Sequence, residues 1–329
     1  MVKKHKRFSI GWDGRKETID VFLTYRDVIH DVYFVAPGTP SGRNSSLTRS
    51  CVYAANTKKM LQALKEHGIK SNILFNGLCA GELTGSRKWA KQIISTLEKY
   101  SGIGITEATC TSITDMLLLK KYLPHLTVHA SVNMFIDSVA KCAQIINVCD
   151  VINIAGNMNY NLAGLQEIRE FTRGKKLKLL VNEGCLTNCV HRIQHFNALA
   201  HNKNIETSYC KRLFTRNPGL ILETAFIRPE DLRHYTELID YFKIASRNAA
   251  SPEHIELLLA AYTTGKYEGN LFDLVSSDGI AAVQAMGLPV FIDNSRLPDD
   301  FFNYRARRRG EWIAREPIDI ADVFGTNNT

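Results

Sequence analysis

No run of apolar residues in this 329-residue chain reaches the roughly eighteen that a membrane span requires. The basic start, Met1 to Arg7, leads into Phe8-Ser-Ile-Gly-Trp12 and not into the apolar centre of a secretion signal. There is no glycine-rich dinucleotide turn, because Gly11-Trp-Asp-Gly14 lacks the third glycine and its spacing. No His-Glu-x-x-His helix supports a zinc peptidase, and no motif pairs a cysteine nucleophile with a base and an orienting third group. A radical S-adenosylmethionine enzyme is excluded as well, since the third cysteine it needs would fall at Arg192. The eight cysteines are irregularly spaced, unlike a secreted disulfide framework, so the cytoplasm is the expected compartment.

With 45% hydrophobic and 22% charged residues, the chain has material for a large core and no signature of disorder. Its formal charge of +8 is concentrated at two places. Lys3, Lys4, Lys6 and Arg7 form one cluster; Arg305, Arg307, Arg308 and Arg309 form the other. Such runs are more often solvated tails than binding sites. The aromatics Phe301, Phe302, Tyr304 and Trp312 around the second cluster keep an RNA partner in view.

Short apolar stretches alternate with helical ones along the chain. Strands are expected at 8–12, 31–36, 72–76, 103–107, 126–132, 151–155, 177–181 and 241–245. Helices are expected at 18–29, from Ser46 or Thr48 to about His67, and at 89–100, 112–122, 137–148, 162–172, 229–238 and 252–262. Strands separated by helices imply a parallel sheet covered by helices, and eight such units favour a TIM-like (β/α)8 barrel over an open sheet. The barrel is assigned to residues 1–275 and a C-terminal extension to 276–329. Its active face would lie at the carboxyl ends of the strands, where this reading puts Asn76, Cys79, Glu107, Asn133, Asn157 and the segment 182–189.

That last segment carries the strongest chemical signal. The strand 177–181 runs into Asn182-Glu-Gly-Cys-Leu-Thr-Asn-Cys-Val-His-Arg192, followed by His195 and, later, Cys210. Cys185, Cys189 and Cys210 with a fourth thiolate could hold an iron–sulfur cluster. Cys185 and Cys189 with His191 or His195 would equally suit a tetrahedral zinc. Unliganded buried thiols are the third reading. Cys110, Cys142 and Cys149 fall on predicted helices or at their ends and are expected to pack in the core.

The segment 182–192 with His195-Phe-Asn197, Phe226-Ile-Arg-Pro-Glu-Asp-Leu232 with Tyr235, Phe242-Lys-Ile-Ala-Ser-Arg247, and Tyr262 with Tyr267-Glu-Gly-Asn-Leu271 resemble the collagenase-like peptidase family U-32. The likeness runs from about residue 70 to 295 and is closest to the short single-barrel branch. It implies a TIM-like barrel, a cysteine-bound [4Fe-4S] cluster and dioxygen-independent hydroxylation of a small aromatic or an RNA base. It carries over Cys185, Cys189 and Cys210 as ligands. Cys79 is taken as the fourth on geometry, with Cys51 as runner-up and zinc as the alternative metal. The chain departs from relatives in having Val190 where a proline follows the second loop cysteine, and no cysteine after 210. A cluster with only three protein ligands, or none, is therefore conceivable.

Glu183, with Glu107, is a candidate general base. Arg228, Lys243 and Arg247 are candidates for positioning an anionic donor or substrate, although Arg228 precedes Glu230 and Asp231 and is as readily a structural ion pair. A small-molecule or RNA substrate and a paralogous partner subunit are the expected partners, with no membrane span. The competing functions are a metal-stabilised binding or maturation protein and, third, a peptidase.

Overall fold

A computed structural model describes residues 7–40, 50–201, 209–246, 251–287 and 290–307. Eight parallel strands close into one barrel in sequence order. They are β1 (Phe8–Gly11), β2 (Ile29–Val35), β3 (Lys70–Phe75), β4 (Glu107–Cys110), β5 (Thr127–Ala130), β6 (Val151–Ile154), β7 (Lys176–Leu180) and β8 (Tyr241–Ile244). The helices between them are α1 (Thr18–Thr24), α2 (Cys51–Glu66), α3 (Arg87–Ser101), α4 (Ile113–Tyr122), α5 (Val139–Ile145) and α6 (Leu162–Phe171). Two more, α7 (Arg192–Ala200) and α8 (Tyr209–Arg216), separate β7 from β8. After β8 come α9 (Pro252–Thr264), α10 (Leu271–Leu274), α11 (Asp278–Ala285) and α12 (Phe301–Arg307).

Serine caps set half of the helix starts: Ser50, Ser86, Ser112, Ser138, Ser251 and Ser277 each accept a backbone N–H from the first turn. Ser50, not Ser46 or Thr48, opens α2, and the two expected caps lie outside the described residues. Helix α1 is shorter than its pattern suggested, because β2 takes the chain from Ile29. The stretch expected as a helix at 229–238 is a 3-10 segment, Pro229–Tyr235.

One strand is displaced. β4 covers Glu107–Cys110, whereas 103–107 looked more apolar. Gly104, at φ +129°, makes the turn out of α3. Glu107 consequently opens its strand, away from the active face, and Cys110 closes it in the outer core.

The outward residues of the strands, such as Ile10, Phe34, Ile73, Val128, Ile152, Leu179 and Ile244, are buried under the helices in one continuous core. The inward residues of the lower half are polar. Lys178 donates to Asp31 Oδ1 at 2.7 Å and to Ser9 Oγ at 3.0 Å, and Ser9 donates to Asp31 Oδ2 at 2.8 Å. Asn72 Nδ2 donates to Asp31 Oδ2 at 3.2 Å, and Asn72 Oδ1 accepts from Thr109 at 2.8 Å. A register shift between Phe8 and Ser9 pairs them with Ile29 and Asp31, so His30 is the unpaired residue of a bulge. It reaches Glu107 at 3.3 Å and stacks on Tyr241 with ring centroids 3.8 Å apart. His129 Nε2 lies 3.0 Å from the other Glu107 oxygen.

Ligand atoms of His30, Asp31 and Glu107 lie within 4.8 Å of one another. Asp31 is nevertheless matched by Lys178, and Glu107 faces Lys70 Nζ at 3.3 Å. Two carboxylates balanced by two ammonium groups make this an ion network, not a vacant cation site.

The second basic cluster is partly core. Arg305 is buried, donates to Glu223 at 3.2 Å and to the Thr224 carbonyl at 2.8 Å, and lies 4.9 Å over the Tyr160 ring. Phe301 and Phe302 are buried too, so they are not free to stack on bases. Lys3, Lys4, Lys6, Arg308, Arg309 and Trp312 lie outside the described residues. Among the described residues, no helix is long and apolar enough to cross a membrane.

Candidate functional site

The polypeptide after β7 is pinned on both sides. The Asn182 side chain donates to the Ala245 carbonyl at 2.8 Å and accepts from the Ala245 amide at 2.7 Å, tying the end of β7 to the end of β8. Glu183 pairs with Ser276 in an isolated parallel bridge, and Gly184 N donates to the Ser276 carbonyl at 3.1 Å. A Cβ on Gly184 would stand 2.8 Å from the Ser277 side chain, so this close approach requires glycine. On the other side, Leu186 bridges Thr224, and Ala225 N donates to the Cys185 carbonyl at 2.9 Å. Cys189 N then returns to the Leu186 carbonyl at 3.2 Å, closing a turn through Asn188 at φ +59°.

This framework brings Cys185 and Cys189 into one pocket with Cys210, which comes from the start of α8. Helix α8 packs on α11, and Ser277 joins the same pocket. The remaining lining is Gly184, Leu186, Arg192, His195, Phe196 and Leu199. The cavity between them is small, about 30 Å³.

Arg192 is the cation of the pocket. It forms an ion pair with the buried Glu183 and lies between two rings, 5.0 Å from the Phe135 centroid and 5.1 Å from that of Phe196. Burial works against its charge, but Glu183 and the thiols of Cys185 and Cys189 outweigh it and raise its pKa further. Glu183 is thus the counter-ion of Arg192. A Cβ on Gly156 would overlap Glu183 Oε2, so that glycine makes room for the pair. Burial raises the pKa of the Cys189 thiol, against the backbone N–H groups of His191 and Arg192 and the Arg192 charge.

The other candidates are dispersed. Cys79 does not line this pocket: its sulfur accepts from Gly81 N at 3.3 Å and sits 3.5 Å from Thr84 Oγ1 in the loop after β3. Cys51 is exposed at the first turn of α2. Arg228 grips Asp231 through two bonds of 2.8 and 3.1 Å and lies 4.8 Å over Phe301, at the start of α12. Lys243 is buried on β8 with its ammonium 4.2 Å from the Tyr33 centroid. Arg247 lies outside the described residues. Cys110, Cys142 and Cys149 are buried, and burial raises all three thiols, Cys142 to about 11 and Cys149 to about 12.

Sequence reasoning missed a second cleft across the 186–192 segment. It has a volume of about 240 Å³ and shares Leu186, Cys189 and Arg192 with the cysteine pocket. Its other walls come from the turns after β5 and β6, including Phe135, Asp137 and Asn157, and from Asn188, Val190 and Ile193. Phe135 and Asn188 are the two non-glycine residues with positive φ among those described, at 52° and 59°. Left-handed backbone at such residues costs on the order of 1–3 kcal/mol and concentrates at working sites. No property of Phe135 in the sequence announces it.

No family model matches the chain. Over 274 residues, 79% of this chain and 76% of the relative, it is 29% identical to a protein of Methanocaldococcus jannaschii named uncharacterized protease MJ1657. Among solved structures, the U32 peptidase Mk0906 superposes with a TM-score of 0.56, covering 74% of this chain and 94% of that one at 18% identity. At that identity the likeness speaks for the fold.

Proposed function

The chain resembles the peptidase U-32 family, and from that premise we propose that Cys185, Cys189 and Cys210 hold a [4Fe-4S] cluster in an oxidoreductase. The observation that carries this reading is the convergence of three thiols from two separate segments on one pocket with a single buried guanidinium. Thiolates are the ligands such a cluster takes, and a nearby cation offsets the charge they bring.

When bound through three cysteines, such a cluster supplies an iron with an open position and a site for electron transfer. The chain's own residues do the rest. Arg192 holds positive charge beside the thiols, Glu183 and the two rings fix it, and Leu199 and Phe196 restrict water. The reaction class is the one the resemblance implies, hydroxylation without dioxygen of a small aromatic or an RNA base.

The names of the two similar proteins set the competing reading, a peptidase. His195, in the same pocket as the thiols, is the feature such an enzyme would use.

Anaerobic purification decides between these readings. The expected product is brown, absorbs near roughly 400 nm, and contains about four iron and four sulfide per chain. Cys185→Ala and Cys210→Ala should each abolish the colour, while Cys79→Ala tests a fourth ligand. A colourless protein with one zinc indicates a metal-stabilised binding module. A colourless, metal-free protein that cleaves peptides indicates a peptidase.

A further inference from the structure

We infer that Arg305, on the C-terminal helix α12, positions the cysteine-bearing segment, acting on Cys185 and Cys189 through the strut Glu223-Thr224-Ala225. The mechanical link does not depend on a bound metal; its bearing on reactivity rests on the cysteine pocket being the working centre.

The strut itself is the first argument. Residues 185–187 and 223–225 form a short antiparallel ladder. Ala225 N donates to the Cys185 carbonyl at 2.9 Å, Thr187 N donates to the Glu223 carbonyl at 3.4 Å, and Leu186 faces Thr224 between them. Thr187 Oγ1 adds a second bond to the same Glu223 carbonyl at 3.1 Å. Cys189 N closes onto the Leu186 carbonyl at 3.2 Å, so the ladder sets the turn that carries both cysteines. Where bonds flank a residue pair in this way, the carbonyl of the central residue points away from the partner strand. The Thr224 carbonyl is therefore satisfied from the opposite side, and Arg305 Nη2 supplies that bond at 2.8 Å.

Reach is the second. Arg305 Nη1 also donates to Glu223 Oε2 at 3.2 Å, so one guanidinium holds two consecutive residues of the strut from 82 and 81 positions further along the chain. A planar fork of fixed geometry sets orientation as well as distance. The buried Arg228, by contrast, directs its bonds of 2.8 and 3.1 Å to Asp231, three residues away in its own turn. Arg305 is 4% exposed and Glu223 9%, so water offers no ready substitute for the pair.

Anchoring is the third. Helix α12 docks through Phe301 and Phe302, both buried. Phe302 lies 5.5 Å from the Tyr160 ring centroid and stacks on His234 at 4.2 Å, and Phe301 lies 6.3 Å from Phe226. Tyr160 in turn sits 4.9 Å under the guanidinium and donates to the Phe226 carbonyl at 2.5 Å, while Asn159 Nδ2 donates to the Ala225 carbonyl. The turn after β6 and helix α12 thus grip the strut at successive residues, with the cysteine segment along its other edge. Thr187 and Ala225 also line the second cleft, so the same strut shapes both cavities.

The test uses the full chain, freed of metal by a chelator, and reads the alkylation rate of each cysteine by mass spectrometry. Arg305→Met keeps the bulk and removes both bonds; Arg305→Lys keeps the charge and can reach only one acceptor. Arg305→Met should speed Cys185 and Cys189 by at least about fivefold and Arg305→Lys by about twofold. Buried Cys110 and Cys149 should stay at the wild-type rate, because local opening exposes only what the strut holds. Wild-type rates at Cys185 and Cys189 in a folded variant overturn the inference. So does a parallel rise at Cys110 and Cys149, which would make Arg305 a support of the whole fold. Where Arg305→Met does not fold, Arg305→Lys decides by the same comparison. Colour after anaerobic purification separates this from the cluster reading. A colourless wild type with the selective rise removes the cluster and keeps the positioning role; a brown wild type without the rise does the reverse.

Discussion

In the lower half of the barrel, Asp31 and Lys178 meet among Ser9, Asn72 and Thr109, and each polar atom of that set has a named partner. At the upper end, Glu183 is equally buried and Arg192 slightly less so, yet they stand between two cavities, beside thiols, and next to two residues in left-handed backbone. Both ends bury an ion pair. The lower pair closes a network and fills the barrel, while the upper pair holds open a space. Burial of charge by itself therefore does not mark a functional site here; what marks it is unfilled volume and unrelieved strain around the charge.

The sharpest way to break this contrast is to open the lower pair. Lys178 is 1% exposed, so Lys178→Met would leave the Asp31 carboxylate buried without its cation. Losing one partner of such a pair costs about 3–5 kcal/mol. Urea unfolding should show that loss in the midpoint, and Asp31→Leu combined with Lys178→Met should recover much of it. A loss below about 1 kcal/mol would mean that the lower network is as open to water as the upper site.

The same contrast explains what was legible in the sequence. Seven of the eight strands were found within two residues of their ends, because their outward positions are plainly apolar. β4 was misplaced because its inward residues are Glu107 and Thr109, so Glu-Ala-Thr-Cys does not read as a strand. The polar interior that hid β4 is the feature no periodicity announces, since a barrel lumen is usually filled by branched apolar side chains. The cysteine segment was legible because Gly184 and two thiols are chemically distinctive. The second cleft was not, because it is assembled from three separate turns and flagged only by the backbone angles of Phe135 and Asn188.

Acid offers a smaller perturbation of the lower end. Burial alone would raise the Glu107 pKa, but His129, His30 and Lys178 outweigh it and hold the carboxyl far below its usual range. The stability this gives is complete above the unfolded value of about 4.3 and fades as pH falls below it. His129 is held down mainly by burial and by Lys178, against the pull of Glu107 and Asp31. It stays neutral in the fold while the unfolded chain takes up a proton below about pH 6.5, so its contribution is also lost on acidification. The thermal midpoint should therefore fall between pH 7 and pH 4. Glu107→Gln should lower stability at pH 7 and remove the leg below about pH 4.5. A midpoint that stays flat from pH 7 to 5 would show that His129 is not held neutral.

The smallest effect belongs to the upper end, at Asn188. Its φ of +59° is a conformation that asparagine tolerates better than most residues and glycine better still. Asn188→Gly relieves the remaining strain but gives the unfolded chain more freedom, and these oppose each other. The net change should stay within about 0.5 kcal/mol, read as a thermal midpoint moved by no more than about 1–2 °C. Asn188→Val, at the same exposed position, should cost about 1–2 kcal/mol, because a β-branched residue clashes in that backbone. On the proposed cluster reading, iron loading should follow the same order, since Cys189 is set by the turn that Asn188 completes. If Asn188→Gly instead destabilised the chain as much as Asn188→Val, the side-chain amide and not the backbone would hold the turn. The upper end would then be a closed polar network like the lower one.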